Sequence, residues 1–345
     1  MFSRLFDDSP EWTRGQVIGL YALLLGFNAA AWLWAVVEFH DQPTLLGLAF
    51  LAYSFGLRHA FDADHIAAID NVTRKLMEEG RRPLGVGLFF SLGHATIVVA
   101  LSIVVALTAG ALQSRFGAFK EVGGVIGTSV SALFLFAVAA ANVLVLIDVY
   151  RAFVRVKAGE CCGHADHLHG GAFLARLLRP AFRLIARSWH MYPLGLLFGL
   201  GFDTATEVGL LGISATQASH GLSLWSLLLF PALFTAGMSL MDTTDSALMV
   251  GAYGWAFFNP VRKLYYNMTI TFVSVLAALA IGGVEALGLI GDKLELQGPF
   301  WSFIGVLSGN FGALGYAIVA FFVASWIVSF LIYKAKGYDR LEVSP

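Results

Sequence analysis

The chain has 345 residues, of which 58% are hydrophobic and 13% charged, and a formal net charge of −1. An ordinary soluble domain is roughly 45–50% apolar and 25% charged, so a soluble enzyme and a disordered chain are excluded. The two cysteines, Cys161 and Cys162, are adjacent, which excludes a secreted disulfide scaffold; the near-neutral balance gives no sign of nucleic-acid binding.

Eight apolar runs are long enough to cross about 30 Å of hydrocarbon as helix. They cover residues 16–37, 45–69, 84–107, 122–149, 194–216, 224–251, 264–290 and 303–333. The first run follows Asp7, Asp8 and Glu11 rather than a basic stretch, and it exceeds a signal peptide's apolar core, so it reads as a retained span. The segments before run 1, after run 8, and between runs 2 and 3, 4 and 5, and 6 and 7 hold 18 of the 22 Lys and Arg. The opposite connections hold only Arg115, Lys120 and Lys293, and Arg58 lies within run 2. By the positive-inside rule both termini are cytoplasmic. The expected fold is an all-α integral membrane protein with eight transmembrane helices, one polytopic domain over residues 1–345. Its single long connection, residues 150–193, is cytoplasmic.

A short repeat runs through the chain. Phe55-Gly56-Leu57 to Asp62 in run 2 matches Phe198-Gly199-Leu200 to Asp203 in run 5. Ser91-Leu92-Gly93-His94 in run 3 aligns with Thr235-Ala236-Gly237-Met238 in run 6. Runs 2 and 5 would cross in opposite directions, so the expectation is an inverted repeat of helices 2–3 against 5–6, as in many secondary transporters.

Ionisable groups inside spans are costly and usually functional. Run 2 carries Arg58, His59, Asp62, Asp64, His65 and Asp70, run 3 His94, run 5 Asp203 and Glu207, and run 6 Asp242 and Asp245, while run 1 carries Asn28. His59, Asp62 and His65 share one side of a helix, Arg58 stands four residues before Asp62, and Asp64 points elsewhere. Imidazole and carboxylate donors suit Ni, Co, Zn or Fe. The alternative is a buried ion-pair network that only orders the bundle. Two His and two Asp within seven residues argue against it, although the carboxylates of runs 5 and 6 could serve simply as interhelical hydrogen-bond acceptors. On an ideal helix His59 and His65 are about 9 Å apart along the axis. One ion would reach both only with favourable rotamers or a local unwinding. The segment Cys161-Cys162-Gly163-His164-Ala165-Asp166-His167-Leu168-His169 fits no zinc-finger spacing; it is a solvated loop or a metal buffer. No phosphate-binding loop, zincin helix or nucleophile elbow is present, so nothing points to ATP hydrolysis.

Residues 58–71, Arg58-His59-Ala60-Phe61-Asp62-Ala63-Asp64-His65-Ile66-Ala67-Ala68-Ile69-Asp70-Asn71, resemble the signature of the nickel/cobalt transporter family, with its His-x4-Asp-His core. Leu92-Gly93-His94 resembles a second family motif, with Ala95 where Ser or Thr is expected. Residues 201–207 and 237–245 resemble a third and a fourth. The resemblance implies an eight-span bacterial inner-membrane permease, without a cofactor or ATP, that takes up Ni2+ and sometimes Co2+. It implies His59, Asp64 and His65 as the metal-handling residues, with Asp62 and His94 beside them and Asn28 facing run 2. The rival functions are an exporter of the same fold and an intramembrane metalloenzyme. The implied partners are a divalent transition-metal ion and membrane lipid; the oligomeric state is not encoded legibly.

Overall fold

The computed structural model describes residues 8, 14–108, 113–157, 185–201, 204–256 and 260–335. Asp203, the Cys/His segment 161–169 and both chain ends lie outside these. Every regular element among the described residues is helical. The helices are α1 (Arg14–Phe39), α2 (Pro43–His59), α3 (Ala63–Glu78), α4 (Val86–Thr108), α5 (Gln113–Lys157) and α6 (Met191–Phe198). They continue with α7 (Ala205–Ser219), the single turn α8 (Leu224–Leu227), α9 (Leu229–Ala256), α10 (Pro260–Lys293), α11 (Pro299–Ser308) and α12 (Phe311–Ala335). Among the described residues six helices are long and apolar enough to cross a membrane: α1, α4, α5, α9 together with α8, α10 and α12. Large apolar side chains such as Ile18, Leu33, Leu107, Leu248 and Leu331 face outward. A multi-pass membrane protein presents such faces to hydrocarbon, whereas water would penalise them.

Runs 2 and 5 are each divided in two, run 2 by the local unwinding that the His59–His65 spacing left open and run 5 against the expectation of a continuous helix. Pro43 opens α2, where its fixed φ and missing N–H cost nothing. The chain stays helical to His59, then tightens. Phe61 N donates to Arg58 O at 3.0 Å and Asp62 N to His59 O at 2.8 Å. Asp62 turns extended (φ −66°, ψ 143°), and α3 restarts at Ala63. Run 5 behaves alike: α6 stops at Phe198, Gly201 N donates to Phe198 O at 2.9 Å, and Thr204 (φ −84°, ψ 142°) leads into α7. The residues at the first break, Ala60 and Phe61, are apolar, so hydropathy runs straight across it.

Irregular backbone at membrane depth must be buried in protein, and glycines make the room. Gly315 of α12 faces the carbonyl of Phe61 so closely that any Cβ there would collide with it. Gly127 of α5 does the same for the second break, where a Cβ would collide with the backbone of Gly201. The broken helices pair crosswise with the long ones. Gly56 of α2 lies against the Phe234 backbone of α9, and Gly195 of α6 against Phe90 of α4.

One apolar cluster joins α1, α2, α4, α7 and α9 around Ala35, Ala52, Phe230 and Phe234. A second joins α3, α5, α10 and α12 around Ile66, Leu135, Ala278 and Ile281. The two seams meet at the first break, where Ala60 belongs to one and Ala63 to the other. At one end of the bundle Ser188 N donates to Asp8 Oδ2 at 2.7 Å and Lys75 Nζ to Ile185 O at 2.5 Å, while Arg81 donates to Ala186 O. The N-terminal segment, the α3–α4 connection and the chain entering α6 therefore share a side.

Filling the space beside Phe61 should be costly. Gly315→Ala should destabilise the protein by about 1–3 kcal/mol through overpacking, lowering its thermal midpoint in detergent. Gly47→Ala, which meets open space, should leave the midpoint at or above that of the wild type.

Candidate metal site

The first break sets the site. Because α3 starts afresh at Ala63, His65 is freed from the axis of α2, and its ring centroid comes within 4.6 Å of that of His59. His94 on α4 completes the group, 4.7 Å from the His59 ring and 4.9 Å from that of His65. One nitrogen from each ring lies within 4.8 Å of the others, and all three side chains are buried. A first-row metal bound about 2.1 Å from imidazole nitrogens holds them roughly 3.0–3.5 Å apart, so small rotamer shifts bring the rings to bonding distance.

Around the rings stands a set of oxygen groups. His94 Nε2 is 3.0 Å from His59 Nε2 and 2.8 Å from Glu207 Oε1. His59 Nδ1 is 3.2 Å from the Thr206 hydroxyl and 3.5 Å from that of Thr204. Asp62 Oδ2 lies 2.8 Å from the same nitrogen, off the line of a hydrogen bond. His65 Nδ1 faces both oxygens of Asp242 at 3.4 Å, and its Nε2 is buried without a hydrogen-bond partner. A carboxylate behind one ring nitrogen fixes the tautomer that offers the other nitrogen to a metal. Phe234 packs 5.4 Å from the His59 ring and Phe90 4.8 Å from the His65 ring, so aromatic rings flank two of the imidazoles.

The second break supplies Glu207. Thr204 and Glu207 have the spacing of a helix-capping box, but the Thr204 side chain accepts no capping bond from the backbone; its hydroxyl donates to Glu207 Oε2 at 2.8 Å. This leaves Oε1 aimed at the imidazoles. The Thr-x-x-Glu spacing was the available sequence signal for a helix restart at this point.

Other expected site residues lie further out. Asp64 Oδ1 accepts from His65 N at 2.9 Å and serves the start of α3. Asn28 donates to Leu24 O and Ala236 O and accepts from Tyr53 of α2, the last at 2.9 Å; it faces α2 as anticipated but touches no imidazole. Asp245 sits one turn beyond Asp242, where the neighbouring charge is Asp70, and Asp70 itself accepts from Ser274 of α10 at 2.6 Å. Arg58 and Asp62, four apart, form no ion pair among the described residues, because Asp62 has turned toward His59 and the guanidinium lies against Gly312.

The family model for NicO, high-affinity nickel-transport protein, matches residues 45–332. The high-affinity nickel transport protein of Cupriavidus necator is 60% identical over 96% of this chain and 95% of its own length. The nickel transporter NixA of Staphylococcus aureus is 44% identical over 97% of each chain. The cobalt transport protein NhlF of Rhodococcus rhodochrous is 41% identical, covering 94% of this chain and 95% of its own. No solved structure matches. These relatives are named for transport, and none of the three for catalysis.

If Asp242 orients His65 for a metal, Asp242→Asn should weaken Ni2+ binding by roughly 10–100-fold, the usual effect of losing such a supporting carboxylate. Equilibrium dialysis of the purified full chain measures this. Unchanged affinity would remove Asp242 from the site.

Proposed function

The chain belongs to the NicO family of high-affinity nickel-transport proteins, and from that premise we propose that it is a secondary-type permease importing Ni2+, with Co2+ as a second cargo, across a bacterial inner membrane. The observation that carries this reading is the convergence of His59, His65 and His94 in a buried place. Imidazole nitrogens suit nickel and cobalt, and the relatives' names include both metals. His59, His65 and His94 take the ion from water. Glu207 adds a carboxylate that offsets its charge, and Asp62 and Asp242 hold two of the rings in the binding tautomer. Asp64 keeps the start of α3, and so His65, in place, and Asn28 ties α1 and α9 to α2 behind the site. Asp203 and Asp245 add negative charge along the route.

Eight spans follow if each broken pair, α2 with α3 and α6 with α7, crosses as one unit. The 17 residues of α2 reach only about 25 Å as helix, short of the roughly 30 Å core, so neither pair crosses by its first half alone. The positions of the basic residues support a cytoplasmic side for both termini. The shared side of Asp8, Lys75, Arg81 and residues 185–188 supports that grouping. With this orientation the two broken units run in opposite directions, as an inverted repeat requires. The membrane potential alone can drive uptake: a doubly charged ion gains roughly 4.6 kcal/mol per 100 mV, a concentration ratio above about a thousandfold.

Cells expressing the full chain should accumulate trace Ni2+, with Co2+ competing better than Zn2+. His59→Ala and His65→Ala should each abolish accumulation while the protein remains in the membrane, because a dehydrated cation that loses a ligand is poorly compensated. Metal depletion of the cells would identify an exporter, and wild-type uptake by both variants would remove the site.

A further inference from the structure

A cavity of about 570 Å3 lies between α5, α10 and α11, apart from the histidines. Its walls include Thr128 of α5, Glu285 and Asp292 of α10, and Trp301 and Ser308 of α11. Glu285 is 5% exposed and its Oε1 accepts a 2.8 Å hydrogen bond from Ser131. It lies two turns of α10 inward from Asp292, about 10 Å deeper along the axis. The cavity thus has an acid near its mouth and a second acid, nearly buried, toward its floor. A carboxylate facing a lipid-filled pocket would be costly, which favours water over lipid in this cavity.

Two relationships give the cavity a direction. In the orientation set by the basic residues, the Lys293 end of α10 faces away from the cytoplasm, on the side where an imported ion arrives. At the other end, Thr128 adjoins Gly127, whose Cα is pressed against the Gly201 backbone at the second break. Thr204 and Glu207 follow directly in the chain, and Glu207 reaches His94. The α5 wall of the cavity therefore adjoins the break from which the chain runs on to Glu207 and the histidines.

We propose that this cavity is an outer vestibule in which Glu285 receives a hydrated divalent metal cation before the ion passes the Gly127–Gly201 contact to the histidines. The proposal rests on the import reading above. Glu285 works at a distance from the imidazoles, through water and charge. It gathers the cation at trace concentration, and the histidines strip its water. Separating capture from dehydration in this way spreads the desolvation cost over two places.

The test uses the full chain with Cys161→Ser and Cys162→Ser, in intact cells. A cysteine introduced as Ser308→Cys should react with a membrane-impermeant maleimide added outside, and Ni2+ should slow that reaction. Glu285→Gln should remove the protection, and Glu285→Asp should keep it. In uptake, Glu285→Gln should raise the Ni2+ concentration for half-maximal rate about tenfold at unchanged maximal rate. Reaction only with a lipid-soluble maleimide would show a lipid-filled groove and overturn the vestibule. So would protection that persists in Glu285→Gln, or a half-saturation that does not move. The labelling arm needs no transport, so a wild-type chain that labels as described but fails to import would refute the import reading and leave the cavity's cation site standing.

Discussion

A helix in hydrocarbon has to satisfy its own backbone hydrogen bonds, and this protein interrupts two helices where they meet. The interruptions persist because protein, not lipid, surrounds them. The Phe61 carbonyl is received by Gly315, and Gly201 is received by Gly127. Much of the architecture serves this arrangement: α5 and α12 provide the glycines, and the crosswise pairing of α2 with α9 and α6 with α4 holds the broken ends together. An unbroken helix would keep His59 and His65 about 9 Å apart along its axis. The break after His59 lets the two rings meet.

The polar groups around the rings explain how a dry site can accept a doubly charged ion and release it. Each imidazole is neutral when it binds metal, so the compensating charge must come from carboxylates nearby. Glu207 touches His94, Asp242 faces His65, and Asp62 lies beside His59. His59 and Glu207 both contact His94 Nε2. An ion bound by these histidines would have to replace those contacts, which would moderate its affinity. Moderation matters to a carrier, because an ion held too tightly would not leave.

Much of this was legible in the sequence, for identifiable reasons. The long apolar runs correspond to helices because apolar length alone sets a span, and the motif around His59 pointed to a transition metal because its residue types are costly in a membrane without a function, with nickel added by the resemblance to the nickel/cobalt transporter family. His59, His65, His94 and Glu207 were each singled out, and the structure brings them together. What hydropathy missed were the breaks, since Ala60 and Phe61 are as apolar as a helix interior. Asp245 shows another limit: three residues from Asp242 on α9, it shares a helix face with it, yet the register of α3 puts Asp70 opposite instead of an imidazole. Glu285 escaped because it stands alone in its run, and only packing reveals the cavity beside it.

On the proposed function, a cation entering this protein exchanges water for imidazole nitrogen at one place built from α2, α3 and α4. X-ray absorption at the nickel edge of the purified, nickel-loaded full chain measures that exchange directly. The account predicts the multiple-scattering signature of imidazole from three histidines, falling to two in His94→Ala. A nickel ion surrounded only by oxygen, or a histidine count that His94→Ala leaves unchanged, would contradict it.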